Sequence, residues 1–206
     1  MMKRCVIVGA GELYAPIRVK NGDLIIAADG GYTHLLKAGI KPDVLIGDFD
    51  SLDDLPNDLS VEIIRHPVEK DETDMYLAYR IGVSRGCFEF HLYGGVGGRE
   101  DHTFANYCLL NEIINDKNRA YLFGNGVKIF VIKNERIILS SEAGRGISVF
   151  AFGGDAHGVS IKGLKYQAEN ITLMASRPLG VSNSFIDNRK AEISVKSGTL
   201  LIMQEV

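Results

Sequence analysis

Short apolar runs and stretches of helical spacing alternate along the first 115 residues of the chain. The apolar runs are rich in β-branched residues and predict strands at 5–8, 24–26, 44–46, 61–64 and 88–92. Helix-like stretches lie between several of them, at 32–37, 73–84 and 103–115. Strands that alternate with helices are typical of a mostly parallel sheet with helices on both faces. We therefore predict an N-terminal α/β domain whose ligands bind at the carboxyl ends of the strands.

The pattern changes from about residue 119 onwards. Short strand-like runs now follow one another with turn residues between them, and none has the length of a helix: 120–123, 128–132, 136–139, 147–152, 159–161, 171–174, 191–195 and 200–203. This succession is typical of an antiparallel sandwich or barrel. We place the boundary so that residues 1–128 form the α/β domain and residues 129–206 form the antiparallel domain.

Three cysteines, each in an apolar run, have a spacing that fits neither a zinc site nor a disulfide framework; they are Cys5, Cys87 and Cys108. In the stretch 103–115, Cys108 falls at helical spacing with other apolar residues, namely Phe104, Leu109, Ile113 and Ile114. We therefore expect three buried thiols, which is consistent with a reducing cytoplasm.

Composition and charge narrow the class of protein. Apolar residues make up 46% of the 206 residues, enough for one large domain or two small ones. The net charge of −3 argues against a general nucleic-acid binder, because such a protein needs a basic stripe. The apolar runs are far too short to span a bilayer, and we expect no signal peptide. We expect a cytoplasmic protein that binds neither nucleic acid nor membrane.

Six aspartates stand in glycine-punctuated or turn-like segments, and most follow an apolar run: Asp29, Asp48, Asp50, Asp71, Asp74 and Asp101. Carboxylates gathered at the rim of one sheet would repel one another unless a cation neutralised them. Mg²⁺ is a hard cation that binds carboxylate oxygens and usually substrate phosphates as well. The pattern therefore favours a Mg²⁺-dependent enzyme that acts on a phosphorylated substrate.

Two of these segments also have a simpler interpretation. Asp48 and Asp50 point the same way in an extended chain, as a metal site needs, but they could equally be solvated acids of a turn. Asp71 as an N-cap, with Asp74 three residues later, would imitate a capping box at the start of a helix. One residue can cap while its neighbour binds metal, so both interpretations stay open.

The segment Gly94-Gly95-Val96-Gly97-Gly98-Arg99 follows a predicted strand and precedes a predicted helix. Its glycines let the backbone approach a ligand and turn N–H groups toward an anion. Arg99 adds a planar, charged fork that matches phosphate oxygens, which a purely structural turn would not need. The segment lacks the Gly-Lys-Ser/Thr of a P-loop, so we predict phosphate binding of another kind.

The segment Gly9-Ala10-Gly11 follows the first strand and begins a dinucleotide-binding fingerprint. The third glycine of that fingerprint is absent, because Tyr14 stands in its place. We therefore interpret the segment as a turn near a nucleotide and not as an NAD site.

Taken in order, these segments resemble the signature of the thiamine pyrophosphokinase family. The segments are Ala28-Asp29-Gly30-Gly31, Gly47-Asp48-Phe49-Asp50-Ser51, Lys70-Asp71-Glu72-Thr73-Asp74, the glycine-rich segment with Arg99, Asp101 and His102, Gly163-Leu164-Lys165-Tyr166 and Gly180-Val181-Ser182-Asn183. Each motif alone is weak, but six in this order across residues 5–203 are highly specific.

The resemblance implies a fold, an activity and an assembly. The family has an N-terminal α/β domain that binds ATP and Mg²⁺ and a C-terminal antiparallel β-sandwich that helps to bind thiamine. Its members transfer the pyrophosphoryl group of ATP to the thiamine hydroxyl and release AMP. They work as homodimers with active sites at the subunit interface.

The resemblance also implies roles for particular residues. The Mg²⁺ ligands fall on Asp48, Asp50 and Asp74. Catalytic roles fall on Arg99, which would stabilise charge on the phosphate, and on Asp71 or Asp29, either of which could take the hydroxyl proton. Nucleotide contacts fall on Gly30, Gly31, Gly95, Gly97, Gly98 and Asp101, and thiamine contacts on Tyr166, Ser182 and Asn183. Tyr166 departs from the tryptophan that relatives can carry at this position, although an aromatic ring is kept.

Two other classes of function remain open from the residues themselves. The same acids could serve another Mg²⁺-dependent phosphotransferase or a phosphohydrolase. A non-catalytic nucleotide-binding module would bind ATP without consuming it, and it would have no evident need for so many carboxylates.

Overall fold

A computed structural model of the chain describes residues 3–48, 61–65, 72–186 and 190–206. These residues fall into two compact units. The first lies within residues 1–109 and 117–125, and the second within residues 110–116 and 126–206.

The first unit is a parallel α/β structure. In chain order its elements are β1 (Lys3–Val8), β2 (Leu24–Ala28), α1 (Gly31–Lys37), β3 (Val44–Gly47), β4 (Glu62–Arg65), α2 (Asp74–Ser84), β5 (Cys87–Tyr93), the first part of α3 (Glu100–Asn115) and β6 (Arg119–Gly124). The strands stand in the order β6-β5-β1-β2-β3-β4 and every neighbouring pair among them is parallel. The predicted α/β class is confirmed for this part of the chain.

Helices cover both faces of the central strand β1. Alternate residues of a strand point to opposite faces of the sheet. Tyr32 and Leu35 of α1 belong to one buried cluster with Val6 and Val8 of β1. On the other face, α2 lies so close that a side chain at Gly82 would meet the sulfur of Cys5. Burial on both faces explains why residues 5–8 of β1 form a continuous apolar run.

The strand order changes direction at β1. The chain first proceeds outward from β1 through β2 and β3 to β4, and then crosses back to place β5 on the other side of β1. The segments that follow β1 and β5 therefore begin at the same edge of the sheet. They lead away from two neighbouring strands in opposite directions along the strand order, and a crevice lies between them. Open α/β sheets bind their ligands at such a point.

Helix α1 begins unusually close to the backbone of β1. A Cβ atom at Gly31 would lie 1.9 Å from the carbonyl oxygen of Val8, a distance that no side chain can tolerate. The neighbouring Gly30 has more space, because its Cβ would meet the methyl group of Ala10 at 3.0 Å. Gly31 therefore allows the turn after β2 to pack against the end of β1.

Helix α3 corrects one prediction about the cysteines. Cys5 and Cys87 are buried, as expected, but Cys108 is exposed. The buried face of α3 is formed by residues at helical spacing, namely Asn106, Leu109, Leu110 and Ile113. Cys108 and the 64% exposed Phe104 lie on the opposite side, because each residue advances about 100° around the axis. Apolar residues occur on both the buried and the exposed face of α3, so the sequence pattern assigned residues of both faces to one buried face.

The second unit is antiparallel. Its strands are β7 (Val127–Lys133), β8 (Arg136–Leu139), β9 (Gly146–Ala151), β10 (Ala156–Lys162), β11 (Ala168–Leu173), β12 (Asn183–Ser184), β13 (Ala191–Ser194) and β14 (Thr199–Glu205). They form two groups in the orders β12-β9-β14-β7 and β11-β10-β13-β8. The antiparallel prediction is confirmed for these strands, but the strand predicted at 120–123 is β6 of the first unit and pairs in parallel with β5. Among the described strands of the second unit, only the two-residue strand β12 lacked a sequence signal.

The close packing at Gly31 predicts a sharp difference between two adjacent substitutions. Gly31→Ala should lower the free energy of unfolding by about 3 kcal/mol, because its methyl group would overlap the Val8 carbonyl. Gly30→Ala, the matched control, should cost about 1 kcal/mol or less. Denaturant unfolding of both variants checks this, and equal losses would contradict the proposed close approach.

Candidate active site

A cavity of about 410 Å³ opens in the first unit at the carboxyl ends of β1, β2 and β5. Six residues that the sequence analysis selected line it: Asp29, Asp74, Gly95, Gly97, Gly98 and Arg99. The loops after three strands and the first turns of α2 and α3 therefore meet around one space. The cavity lies at the point where the strand order reverses, as the fold predicts for a ligand site.

The loops after β1 and β5 hold each other by direct backbone hydrogen bonds. The Gly9 amide donates to the Tyr93 carbonyl at 2.8 Å, and the Gly11 amide donates to the Gly94 carbonyl at 2.9 Å. Gly94 has a φ of +61°, and a Cβ there would lie 2.3 Å from the Gly9 carbonyl oxygen. Only glycine fits this crossing, so the floor of the cavity is backbone.

Asn106 of α3 holds the glycine-rich loop by a side-chain hydrogen bond. Its Nδ2 donates to the Gly95 carbonyl at 2.7 Å, and the side chain is buried. Asn106 also lines the cavity, and the sequence analysis missed it. A usable signal existed, because a polar residue stands in line with the apolar positions of Leu109, Leu110 and Ile113. A buried polar side chain within an apolar stripe needs a specific partner.

The first turn of α2 faces the same cavity. Thr73 is its N-cap, and the Thr73 Oγ1 accepts a hydrogen bond from the Tyr76 amide at 3.2 Å. The capping alternative had placed the N-cap at Asp71, so the helix begins later than that alternative required. Thr73, Asp74 and Met75 all line the cavity. The N-terminal end of a helix carries partial positive charge and favours an anion there.

Asp29 follows β2 in a left-handed conformation, with a φ of +50°. Its amide donates to the carbonyl of Ile46 at the end of β3, at 2.7 Å. This hydrogen bond ties the carboxylate-bearing turn to the neighbouring strand. Asp48, one residue beyond β3, is half-buried and is not among the residues that line the cavity.

Arg99 and Asp101 form an exposed ion pair at the start of α3. Arg99 Nε donates to Asp101 Oδ1 at 3.1 Å, and a terminal nitrogen of Arg99 donates to Oδ2 at 2.5 Å. The guanidinium holds the pKa of Asp101 down at about 2. Asp101 also accepts from the His102 amide, so the carboxylate orients Arg99 beside the cavity that Arg99 lines.

The carboxylates of the cavity offer oxygen ligands, which are the ligands that Mg²⁺ prefers. Among the described residues, no three His, Cys, Asp or Glu side chains form a group that could hold a metal ion. Mg²⁺ usually binds through one or two carboxylates together with substrate phosphates and water, so a three-carboxylate cage is not required. Asp29 and Asp74 line the cavity and can supply such oxygen ligands. The predicted residues Asp50 and Asp71 lie outside the described residues.

Other predicted residues lie beside the cavity or elsewhere. Gly30 and Asp101 are next in the chain to the lining residues Asp29 and His102, and Gly31 is one residue further, but none of the three lines the cavity itself. His102, which received no role from the sequence, does line it. Tyr166, Ser182 and Asn183 belong to the second unit.

In the second unit, Tyr166 and Asn183 are joined directly. The Tyr166 amide donates to Asn183 Oδ1 at 2.9 Å, and Asn183 Nδ2 donates to the Tyr166 carbonyl at 2.6 Å. The Tyr166 ring is 60% exposed, and the Lys165 ammonium lies 5.3 Å from its centroid. Ser182 is exposed, and its amide donates to the Ser148 hydroxyl at 3.1 Å.

The helices of the described ranges give no sign of a membrane segment. None of them combines the length and the apolar composition that a bilayer crossing requires.

The first unit is a doubly wound α/β fold with a glycine-lined cavity at the switch point of its sheet. Sequence comparison identifies the family. Residues 17–122 match the catalytic domain of thiamin pyrophosphokinase, and residues 133–200 match the vitamin B1 binding domain of thiamin pyrophosphokinase. The thiamine pyrophosphokinase of Bacillus subtilis is 30% identical over 187 residues, which cover 88% of this chain and 86% of the relative. The chain belongs to the thiamine pyrophosphokinase family.

Solved structures agree with this membership. The crystal structure of thiamine pyrophosphokinase from Bacillus subtilis superposes with a TM-score of 0.88 at 25% identity, covering 98% of this chain and 99% of that one. Yeast thiamin pyrophosphokinase has a TM-score of 0.74 at 17% identity, covering 100% and 86%, and shows the fold alone. The family resemblance inferred from the motifs is confirmed, and with it the enzyme class, a kinase among the transferases.

The Arg99–Asp101 pair predicts a titration that can be observed directly. The Asp101 carboxyl should titrate at about 2, and Arg99→Ala should raise that pKa toward the ordinary aspartate value, because the guanidinium is its main cause. A lowered folded-state pKa stabilises the fold above the ordinary value, and this contribution is lost as the pH falls toward 2. NMR titration of the carboxyl groups measures the pKa of Asp101, and the signal that is missing in Asp101→Asn identifies this residue.

Arg85→Ala is the control for that experiment. Arg85 is a partly exposed arginine of the same unit that pairs with Glu62 at 2.5 Å, so its removal changes the net charge equally. The Asp101 titration should not move in this variant. An Asp101 signal that stays the same in Arg99→Ala would contradict the pairing.

Proposed function

We propose that this enzyme transfers the pyrophosphoryl group of ATP to the hydroxyl group of thiamine, giving thiamine diphosphate and AMP. The observation that carries the proposal is the meeting of Asp29, Asp74 and Arg99 with the glycine-rich loop in one cavity at the switch point. Family membership supports the acceptor, because the matched relatives are named for thiamine.

The chain's own groups would act mainly by binding and orienting phosphates. Transfer of this kind needs alignment of the reacting atoms and neutralisation of charge. The glycine-rich loop brings backbone close to the cavity, and α2 directs its N-terminal end toward it. Arg99 supplies a planar donor to phosphate oxygens as negative charge develops. Bound Mg²⁺, held by Asp74 and Asp48 with Asp50, would supply further neutralisation of that charge.

A carboxylate would accept the proton that thiamine loses. The hydroxyl oxygen of thiamine attacks the β-phosphorus of ATP, the bond from that phosphorus to the bridging α,β-oxygen breaks, and AMP leaves with that oxygen. Asp29, which lines the cavity, and Asp71 are the two candidates for the proton acceptor. If the transition state is loose, the proton acceptor contributes less than the positive groups do.

The second unit would bind thiamine. Thiamine is a cation with two aromatic rings, so it needs an aromatic face and a few polar groups. The exposed ring of Tyr166 offers the face, and the exposed Ser182 offers a hydroxyl group. Gly180 holds the segment before Ser182 in place, because its carbonyl accepts from the Val149 amide of β9 at 2.9 Å.

We also propose a homodimer with active sites at the subunit interface. The motif resemblance suggests this assembly. The exposed apolar side chains of the second unit, such as the 59% exposed Val181, are compatible with contact with another copy.

Nucleotide analysis tests the proposed reaction. Incubation of the chain with ATP, Mg²⁺ and thiamine should yield AMP and thiamine diphosphate in equal amounts. A panel of other hydroxyl compounds serves as the control and should give slower turnover. ADP would instead indicate a simple kinase, phosphate release without acceptor would indicate a hydrolase, and unchanged ATP would indicate a binding module.

Two aspartate substitutions test the assigned carboxylates. Asp74→Asn and Asp48→Asn keep the side-chain shape but remove the charge, so we expect turnover to fall on the order of a hundredfold or more, with the fold retained. Asp116→Asn, an exposed position after α3, is the control and should keep normal turnover. Near-normal rates of both test variants at saturating Mg²⁺ would contradict the assignment.

A further inference from the structure

Asn183 is a buried polar side chain whose hydrogen bonds all lead back to the protein. It is 6% exposed and lies in β12, where its backbone pairs with Ile147 of β9. Its Oδ1 accepts from two amides, those of Tyr166 and Ser184, each at 2.9 Å. Its Nδ2 donates to the Tyr166 carbonyl at 2.6 Å.

These contacts leave little of the amide for a substrate. A side-chain carbonyl oxygen has two lone pairs, and both directions are taken by backbone amides. One of the two N–H groups of Nδ2 is used as well. The geometry therefore leaves at most one N–H group of Asn183 for a direct hydrogen bond to thiamine and favours a role for Asn183 within the protein.

The same contacts fix the segment that carries the exposed aromatic ring. Residues 164–166 lie beside residues 183–185, since the Lys165 amide donates to the Ser184 carbonyl at 3.0 Å and Leu164 pairs with Phe185. At Tyr166 the hydrogen bonds between these two segments are made by the Asn183 side chain and not by the Asn183 backbone. Asn183 thus bonds both polar backbone groups of the residue whose ring is 60% exposed.

We propose that Asn183 is a positioning residue that acts through the backbone of Tyr166 and holds the Tyr166 ring as a preformed face for the thiamine rings. This inference rests on the proposed function for its ligand. A ring fixed before binding loses less conformational entropy when the ligand arrives, so it strengthens binding without a new contact. We call the two hydrogen bonds between the Asn183 side chain and the Tyr166 backbone the clasp. Losing the clasp should weaken thiamine binding and leave the ATP cavity of the first unit unchanged.

A double-mutant cycle separates positioning from direct contact. Asn183→Ala should raise the KM for thiamine on the order of tenfold, because the three side-chain hydrogen bonds of Asn183 are lost, with kcat and the KM for ATP nearly unchanged. Tyr166→Ala should raise the same KM at least as much. If Asn183 acts through the ring, the double variant should resemble Tyr166→Ala alone. Multiplied effects would mean a direct contact and overturn the proposal.

A conservative substitution and a matched control accompany the cycle. Asn183→Asp keeps an acceptor for the Tyr166 and Ser184 amides but loses the donor to the Tyr166 carbonyl, so an intermediate KM for thiamine is expected. Asn134→Ala removes a comparable bond, from the Gly198 amide to Asn134 Oδ1 at 2.8 Å, in another turn of the same unit. It should leave the KM for thiamine unchanged, whatever it does to the melting temperature.

Limited trypsin digestion tests the clasp without any substrate. Trypsin cleaves after Lys165, and the amide nitrogen of that bond is the Tyr166 nitrogen that donates to Asn183. Cleavage at this bond, followed by mass spectrometry, should be several-fold faster in Asn183→Ala than in the wild type. Cleavage after Lys162, within β10, should be unchanged. Equal rates at Lys165 in both proteins would overturn the clasp.

The two measurements distinguish the failure of this inference from the failure of the proposed function. A wild-type chain that turns over no thiamine would overturn the proposed function and the positioning of its acceptor, even where the digestion shows the clasp. A wild-type chain that turns over thiamine, with faster cleavage but an unchanged KM for thiamine in Asn183→Ala, would overturn the inference alone. Faster cleavage together with a non-multiplying rise in that KM supports it.

Discussion

The crossing of two backbone segments at the end of the parallel sheet determines the rest of the site. β1 and β5 are neighbours although five described elements separate them in the chain, and the segments that follow them touch through Gly9 and Gly94. Two amide–carbonyl hydrogen bonds at 2.8 and 2.9 Å hold the crossing. Because no side chain fits there, the cavity has a backbone floor, and the side chains that line it come from the surrounding segments. The position of the side chains that line the cavity therefore depends on glycines that have no functional group themselves.

The sequence predicted the sheet well and the site only in part, for reasons that lie in particular residues. Strands buried on both faces, such as β1, leave an unmistakable apolar run. Helix α3 was harder, because Phe104 and Cys108 imitate a buried face on its exposed side. Asn106 was missed, because its role depends on the carbonyl of Gly95, eleven residues away, and only the folded chain brings the two together.

The exposed Arg99–Asp101 pair orients a side chain at the cavity although it adds little stability. An ion pair whose side chains are 70% and 64% exposed contributes little to stability. Its value lies in orientation, since two hydrogen bonds to Asp101 hold the guanidinium at the rim of the cavity. An arriving phosphate group would meet a donor whose charge is already partly balanced. Under the proposed function, this partial balance of charge would moderate the affinity of Arg99 for phosphate.

Both units fix a functional segment with a buried asparagine. In the first unit, Asn106 donates to the carbonyl of Gly95 in the glycine-rich loop. In the second, Asn183 bonds the amide and the carbonyl of Tyr166. An amide side chain suits this task, because it carries a donor and an acceptor and can continue a backbone ladder where the chain itself turns away. Since an unsatisfied buried amide is costly, each asparagine also favours a single arrangement of its loop. In both units, therefore, the hydrogen bonds of one buried asparagine restrict the backbone conformation of the loop that it contacts.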